Sequence, residues 1–393
     1  MTSEEDALAA ILARSAPLPN EKTRLLDSLG RFVTHDLFAT RPLPAFDNSA
    51  MDGYAVQAKT SRAGTSLRVI GEQPAGCDRG LTMAEGEAVR IFTGAPIPAG
   101  ADAVIMQEDV TREGDAITAR CDVEPGEFIR RRGVDLAAGQ KILGRGEPIT
   151  PQILALLASQ GLVEIEIGRR PQVAIVSTGD ELARPSIDPQ PGQIYESNAI
   201  MLEALALRAG SMVRLVEHSP DDLERMKKIF LRALESDVLI VSGGVSVGEH
   251  DLVKPALRAL GAEIDLWRVA IKPGKPFLFG RASDCLIFGL PGNPVSAFVT
   301  FLRFVRPALL KMSGASEENL SLREVPARIG SEIVNEGERP HYLRGRMADE
   351  LFIPTGRQES HALFGLSRAN ALLRVAPETR LPAGASVRVS LLD

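Results

Sequence analysis

The 393 residues carry 45 lysines and arginines against 51 aspartates and glutamates, giving a formal net charge of −6 and a pI near 5.6. That balance argues against a nucleic-acid binder, which needs a basic face, so any anion site has to be built locally. The chain is long enough for about two to four domains, and 44% hydrophobic residues suffice for a sizeable core. The start MTSEEDALAA lacks the basic segment and apolar core of a signal peptide. No apolar run approaches the roughly 18–20 residues of a membrane span. Cys77, Cys121 and Cys285 form no CxxC pair, and so sparse a set suits a reducing cytoplasm.

In chain order, Ser3 and Asp6 resemble a capping box before a helix over EEDALAAILAR. A second helix is expected over EKTRLLDSL, with Gly30 as its C′ residue. Residues 45–140 are rich in glycine and proline, with short β-branched pieces such as LRVIGE and AVRIF, and read as an antiparallel β domain. Thr150 and Pro151 are N-cap and first residue of a helix that ends at Gly161. It is expected to rejoin the N-terminal helices, making the β domain an insertion. From 171 the pattern alternates. The strands are PQVAIVS, MVRLVEH, DVLIV, AEIDLWRVA, FLFG and CLIFGLP. The helices are ESNAIMLEALALRAG (cap Ser197 or Asn198), DDLERMKKIFLRALES, DLVKPALRALG and VSAFVTFLRFVRPALLKM.

Apolar strands separated by helices indicate a mostly parallel sheet covered on both faces, a three-layer α/β/α domain. Short strands after 320 indicate a small β barrel, with a sandwich as the alternative. The expected organisation is an elongated helical domain (1–44 and 141–168), an inserted β domain (45–140), the α/β domain (169–315) and the C-terminal barrel (320–393).

In an open parallel sheet, ligands sit outside the carboxyl ends of the strands. Three loops meet that condition: STGDEL at 177–182, SGGVSVGEHD at 242–251 and LPGNPVSAF at 290–298. The glycines of the second allow backbone N–H groups to turn toward an anion without a Cβ penalty. Ser242, Gly243, Gly244, Ser246 and Gly248 therefore read as a phosphate cradle, although the loop is neither a P-loop nor a GxGxxG fingerprint. The bland alternative is an ordinary strand–helix turn. Glu249, Asp251 and Glu181 follow closely, and carboxylates beside a phosphate call for a cation such as Mg²⁺; alternatively they are acids favoured at helix N-termini. Lys272 and Lys275 of KPGKP suit a second phosphate or another oxyanion, or are simply solvated. Pro291 and Pro294 stiffen Gly292 and Asn293, giving either a preorganised anion contact or a tight turn.

The stretch PAFDNSAMDGYAV, with Asp47, Asn48, Ser49 and Asp52, is too polar for a plain hinge and could complete a site between domains or subunits. FTGAPIPAGADAVI offers a similar turn with Thr93 and Gly94. The five histidines show no metal-ligand spacing, and only His250 adjoins the cradle. There is no GxSxG elbow. One tryptophan and three tyrosines give little stacking capacity for nucleic acid.

Taken together, PAFDNSAMDGYAV, RIFTGAPIPAGADAVI, VSTGDEL, SGGVSVGEHD, KPGKP and LPGNPVSAF resemble, in that order, the molybdopterin molybdenumtransferases of the bacterial MoeA family. That family is similar to the C-terminal domain of gephyrin and to plant molybdenum insertase. FIRRRGVDLAAGQKIL and QESHALFGLSRANALLRV also look like family blocks, so the resemblance spans the chain. The α/β domain alone is less specific, because molybdopterin adenylyltransferases and competence-damage-inducible proteins share its SGG loop.

The resemblance implies a homodimer of four-domain chains, with the site formed between subunits. It implies molybdenum insertion into adenylylated molybdopterin from molybdate, with release of AMP and a requirement for Mg²⁺. It carries over Asp52, Thr93, Glu181, Asp251, Lys272, Lys275, Pro291 and Pro294. Asp221 matches the first acid of a DD pair, and Ser360 a serine of the C-terminal block; His361 stands where many members have glycine. On this reading the glycine loop holds a phosphate of the ligand. Glu181, Asp221, Glu249 and Asp251 are the Mg²⁺ candidates, Lys272 and Lys275 hold molybdate or a phosphate, and Asp52 enters from the partner subunit. Transient contacts with the adenylyltransferase and with cofactor-accepting enzymes follow, with no nucleic acid and no membrane. The rival readings are a molybdopterin adenylyltransferase and a non-catalytic carrier or scaffold.

Overall fold

The computed structural model of the chain describes residues 1–245 and 252–392. The chain divides into two compact units. One comprises Met1–His35, Arg145–Ala155 and Leu162–Asp393, and the other Asp36–Gly144 with Leu156–Gly161.

The first unit opens with helix α1, Glu4–Arg14, capped as its sequence suggests: Ser3 Oγ accepts from the Asp6 N–H at 3.0 Å. The helix expected over EKTRLLDSL is absent. Asn20–Arg24 is instead a strand paired antiparallel with Glu164–Gly168, followed by a 3₁₀ turn over Leu25–Ser28. The register sets Lys22 opposite Glu166, Lys22 pairs with Glu164, and Asn20 donates to Glu166 at 2.8 Å. A weak local preference for helix has lost to cross-strand pairing that no local window contains. Helix α2, Pro151–Ser159, starts as expected, with Thr150 Oγ1 accepting from the Ile153 N–H at 3.3 Å.

The centre of this unit is a six-stranded sheet. Its spatial order is Met212–Ser219, Gln172–Thr178, Val238–Ser242, Cys285–Leu290, Leu278–Ala282, Glu263–Trp267. The first three pairings are parallel and the last two antiparallel. The strand residues alternate between two apolar layers. Val173, Ile175, Val238, Ile240 and Phe288 pack with α1, with α3 (Asn198–Arg208) and with the long helix that runs from α6 (Pro294–Thr300) through a π turn (Phe301–Val305) into α7 (Arg306–Met312). Ala174, Val176, Leu239, Val241 and Ile287 pack with Met226 and Phe230 of α4 (Leu223–Ala233) and Val253 and Leu257 of α5 (Val253–Ala259). Each large apolar side chain fully buried here contributes about 1.5–3 kcal/mol. Two covered faces explain why these strands are apolar on both sides.

A closed five-stranded barrel follows, in the order Glu324–Ile329, Leu351–Pro354, His341–Ala348, Ala371–Val375, Ser386–Leu391. Ile329, Leu343, Phe352, Leu373 and Val389 fill it. The second unit holds a six-stranded sheet ordered Ala103–Met106, Gly53–Val56, Glu87–Ile91, Ser66–Gln73, Ala116–Ala119, Val110–Glu113. It is mixed rather than purely antiparallel: Ser66–Gln73 and Glu87–Ile91 run parallel, joined by the connection 74–86, which is long enough for the crossover. No helix among the described residues is long and apolar enough to cross a membrane.

Candidate functional site

The carboxyl ends of the parallel strands open into a cleft of about 990 Å³ in the first unit. Thr178, Gly179 and Glu181 reach it from the strand Gln172–Thr178, and Ser242, Gly243 and Gly244 from Val238–Ser242. Pro291–Pro294 reach it from Cys285–Leu290, Lys272–Pro276 from the turn before Leu278–Ala282, and Asp221 from the turn before α4. The three loops expected to converge do so. Ser246, Gly248, Glu249 and Asp251 lie outside the described residues, as does His250.

The backbone at the cradle is one that only glycine adopts without strain. Gly243 has φ +91° and Gly244 φ +61°; a Cβ on Gly243 would lie 2.8 Å from the Thr178 carbonyl oxygen, and one on Gly244 2.6 Å from Val253 Cγ2. Asn198 is turned inward rather than capping α3: its amide donates to Ser242 Oγ at 2.9 Å and to the Gly292 carbonyl at 2.7 Å. The capping contact is made by the Glu196 carboxylate, which accepts from the Ala199 N–H at 2.9 Å. Ser197 occupies the cap position without a side-chain capping hydrogen bond among the described residues.

Residues that the sequence did not mark complete the wall. The barrel strand His341–Ala348 is tied to the KPGKP turn, Lys272 N–H donating to the Pro340 carbonyl at 2.9 Å and Tyr342 N–H to the Lys272 carbonyl at 2.7 Å. Arg339 Nη1 donates to the Ile271 carbonyl at 2.9 Å. Arg339 and His341 thereby join Lys272 and Lys275 in lining the cleft. Burial and the charges of Lys272, Arg344 and Arg339 hold the His341 imidazole down to a pKa of about 4, so it is neutral near pH 7. The run GERPH, which concentrates charge and proline just before a strand, was the available signal.

Arg344, 1% exposed, donates to the carbonyls of Arg357 at 2.6 Å and Glu359 at 3.1 Å, and so sets the Gln358–His361 segment in the wall. Ser360 Oγ accepts from Asn293 Nδ2 at 2.9 Å, and the Ser360 carbonyl accepts from the Val295 N–H at 3.1 Å. The serine carried over from the family pattern therefore sits on the PGNP turn, and His361 also lines the cleft.

Among the described residues, Thr178 Oγ1, Asn198 Oδ1 and His341 Nε2 are buried polar atoms without a hydrogen-bond partner, and all three residues belong to this wall. Buried polar groups of this kind are satisfied by a ligand, an ordered water or a neighbouring residue. Of the metal candidates, Glu181 and Asp221 line the cleft. Among the described residues no three His, Cys, Asp or Glu side chains cluster closely enough to hold an ion by themselves. Asp222, the second acid of the DD pair, caps α4 by accepting from the Arg225 N–H at 2.8 Å.

Asp52 and Thr93 belong to the second unit, where they meet. One carboxylate oxygen of Asp52 accepts from both the Thr93 N–H and the Thr93 hydroxyl, each at 2.7 Å. These bonds, with a smaller contribution from Arg90, hold the exposed Asp52 carboxyl below the usual carboxylate range. Gly53 is required beside it, because a Cβ there would lie 1.9 Å from the Ile105 carbonyl oxygen. The other polar residues of the loop are structural. Asp47 accepts from Arg131 at 2.8 Å and from the Arg132 N–H at 2.7 Å, Asn48 donates to the Phe46 carbonyl at 3.2 Å, and Ser49 Oγ donates to the Met51 carbonyl at 2.6 Å.

Three family models match the chain end to end: the MoeA N-terminal region (domain I and II) over residues 2–161, a probable molybdopterin binding domain over 174–311, and the MoeA C-terminal region (domain IV) over 326–392. A molybdopterin molybdenumtransferase of Haemophilus influenzae is 40% identical, over 77% of this chain and 75% of its own length. Molybdopterin molybdenumtransferase 2 of Mycobacterium tuberculosis is 37% identical over 94% of each chain. The solved structure of the molybdopterin biosynthesis moeA protein of Pyrococcus horikoshii OT3 superposes with a TM-score of 0.85 at 31% identity, covering 100% of both chains. The chain belongs to the MoeA family of molybdopterin molybdenumtransferases.

Proposed function

We propose that the chain is a molybdenum insertase. It transfers molybdenum from molybdate to adenylylated molybdopterin and releases AMP. The observation that carries this reading is one cleft lined by a glycine cradle, by carboxylates that include Glu181 and Asp221, and by the cations Lys272, Lys275 and Arg339. A ligand with a phosphate linkage and a second, tetrahedral oxyanion needs that combination, and none of it requires a covalent nucleophile.

The roles follow from the chemistry of each group. The Gly243 N–H is taken up by the Leu290 carbonyl at 3.1 Å, so the Gly244 N–H is the donor this turn offers a phosphate, and Lys272, Lys275, Arg339 and the Ser360 hydroxyl hold the oxyanion. Glu181 and Asp221 fit Mg²⁺, which commonly takes one or two carboxylates and completes its shell with water and substrate phosphate; Glu249 and Asp251 remain candidates for the same ion. When bound, Mg²⁺ would offset phosphate charge and polarise the phosphoryl bond. Asp52, fixed by Thr93 and ionised, enters the cleft from a second copy of the chain and orients water or substrate at the reacting end. The working form is thus a homodimer. We place the reaction in the cytoplasm, in keeping with three unpaired cysteines, and expect transient contact with the enzyme supplying the adenylylated substrate and with cofactor acceptors.

Molybdate-dependent AMP release by the purified chain, with Mg²⁺ and adenylylated molybdopterin, tests the reading. Tight binding without release would leave a carrier, and ATP-dependent adenylylation of molybdopterin would leave an adenylyltransferase. The adenylyltransferase alternative is disfavoured because the matched regions flank the α/β domain on both sides. The dimeric site has its own test. Mixing inactive Asp52→Asn and Lys275→Met chains restores activity only if each cleft draws Asp52 from its partner.

A further inference from the structure

The same unit contains a second cavity, of about 540 Å³, that shares no lining residue with the cleft. It lies at the other end of α3. Asn198 opens the helix in the cleft and Arg208 closes it at the cavity, about 15 Å away at roughly 1.5 Å per residue. Arg208, Arg306 and Arg323 line this cavity together with Phe298, Leu302 and Leu392.

The charge here is unbalanced. Arg306 is partly buried, and the hydrogen bond it makes is from Nη1 to the Leu320 carbonyl at 2.8 Å. None of the ion pairs among the described residues involves Arg208, Arg306 or Arg323. Of the carboxylates at the rim, Glu324 is paired with Arg388 and Glu318 is exposed. Burial and the nearby charge of Arg208 both weaken the hold of Arg306 on its proton. A guanidinium stays charged in proteins, so the like-charge proximity appears as lost stability, which a bound anion would offset. Arginine forks suit phosphate and carboxylate oxygens, while the phenyl ring and leucines beside them suit an apolar body. The volume lies within the range of small-molecule sites, about 300–1,000 Å³.

We propose that this cavity is a second ligand site, taking a small aromatic phosphomonoester whose phosphate is gripped by Arg208 and Arg306 and whose ring rests on Phe298 and the leucines. The inference is independent of the reaction assigned to the cleft.

The test is equilibrium titration of the full chain with phenyl phosphate, inorganic phosphate and phenol. Phenyl phosphate should bind saturably and more tightly than inorganic phosphate, and phenol should not bind. Arg208→Gln and Arg306→Met should each weaken the phenyl phosphate site about tenfold or more, the worth of one charge-assisted contact. Lys275→Met should leave that site in place, and Arg208→Gln should leave molybdate-dependent AMP release unchanged. Because Arg208 is exposed, its variant tests the site even if Arg306→Met fails to fold. Binding that disappears with Lys275→Met and survives both arginine variants would assign the ligand to the cleft and overturn the proposal, as would the absence of saturable binding to the unmodified chain.

Discussion

Asn198 donates a hydrogen bond to Ser242 Oγ at 2.9 Å, and the same amide reaches the Gly292 carbonyl at 2.7 Å. One buried side chain thus ties the glycine cradle to the PGNP turn, two loops that leave the sheet from neighbouring strands. Asn198→Ala leaves the Gly292 carbonyl without this donor and should cost about 1–3 kcal/mol of stability. The loss should also raise KM for the adenylylated substrate, because both loops lose their spacing. Asn198→Asp should be worse for binding than alanine, since it places a negative charge beside a carbonyl and a phosphate cradle. Denaturant midpoints and KM measured on both variants check this; equal KM values for alanine and wild type would refute the clamp.

The Asp52–Thr93 contact predicts a graded pair of variants. Asp52→Asn should abolish insertion with the fold intact, because Asp52 is exposed and its loop is held by Asp47, Asn48 and Ser49. Thr93→Val removes the hydroxyl donor and keeps the backbone N–H, so it should lower kcat by about tenfold, a value expected for a misplaced positioning contact. The hydrogen bonds that hold the Asp52 carboxyl down are halved in Thr93→Val. The acid limb of its pH–rate profile should therefore move to higher pH. An unmoved limb would show that another group controls it.

Those two contacts also mark what the sequence could and could not disclose. The strands Gln172–Thr178, Val238–Ser242 and Cys285–Leu290 are legible because burial on both faces makes them continuous apolar runs. The loops after them follow from the rule that ligands sit at strand carboxyl ends. Asn198 was legible only as a helix cap, because its position in the sequence is right for one; its true partners lie 44 and 94 residues away. Nothing in the sequence near His341 and Arg339 ties them to the KPGKP turn; the pairing of Lys272 with His341 brings the barrel onto it. The 20–24 segment failed for the same reason, since its partner strand begins at Glu164. In each case the deciding contact was long-range and had no local periodicity.

His341 should make stability depend on pH in a definite direction. Its pKa of about 4 in the folded chain lies below the ordinary 6.5, owing to burial and to Lys272, Arg344 and Arg339. Between those values the unfolded chain binds the proton and the folded chain does not, so stability rises with pH across the window. It is complete above pH 6.5 and falls away toward pH 4, by at most about 3 kcal/mol for a shift of this size. His341→Gln keeps a neutral polar side chain and removes the titration. Its stability profile between pH 4 and 6.5 should be flatter than that of the wild type by that amount. Parallel profiles would mean that the imidazole does not report on the cations of the cleft.

Glu4 provides the last prediction, because it links the N-terminal helix to the barrel strand that carries His341. Its carboxylate, 3% exposed, accepts from Arg303 Nε at 2.7 Å, from Arg374 Nε at 3.0 Å and from the Tyr342 hydroxyl. Burial alone would raise the Glu4 pKa, and the two arginines and the tyrosine reverse it, leaving the carboxyl below its ordinary 4.5. The stability Glu4 contributes is therefore present above pH 4.5 and lost as the pH falls through the lower folded value. Glu4→Ala leaves the partly buried Arg303 without its carboxylate and should cost up to about 3 kcal/mol. The double variant Glu4→Met/Arg303→Met removes both charges and should recover much of that loss. Tyr342 is the neighbour of His341, so Glu4→Ala should also raise KM for molybdate, through a barrel strand that no longer seats firmly on the KPGKP turn. A destabilised variant with unchanged KM would separate the anchor at Glu4 from the geometry of the cleft.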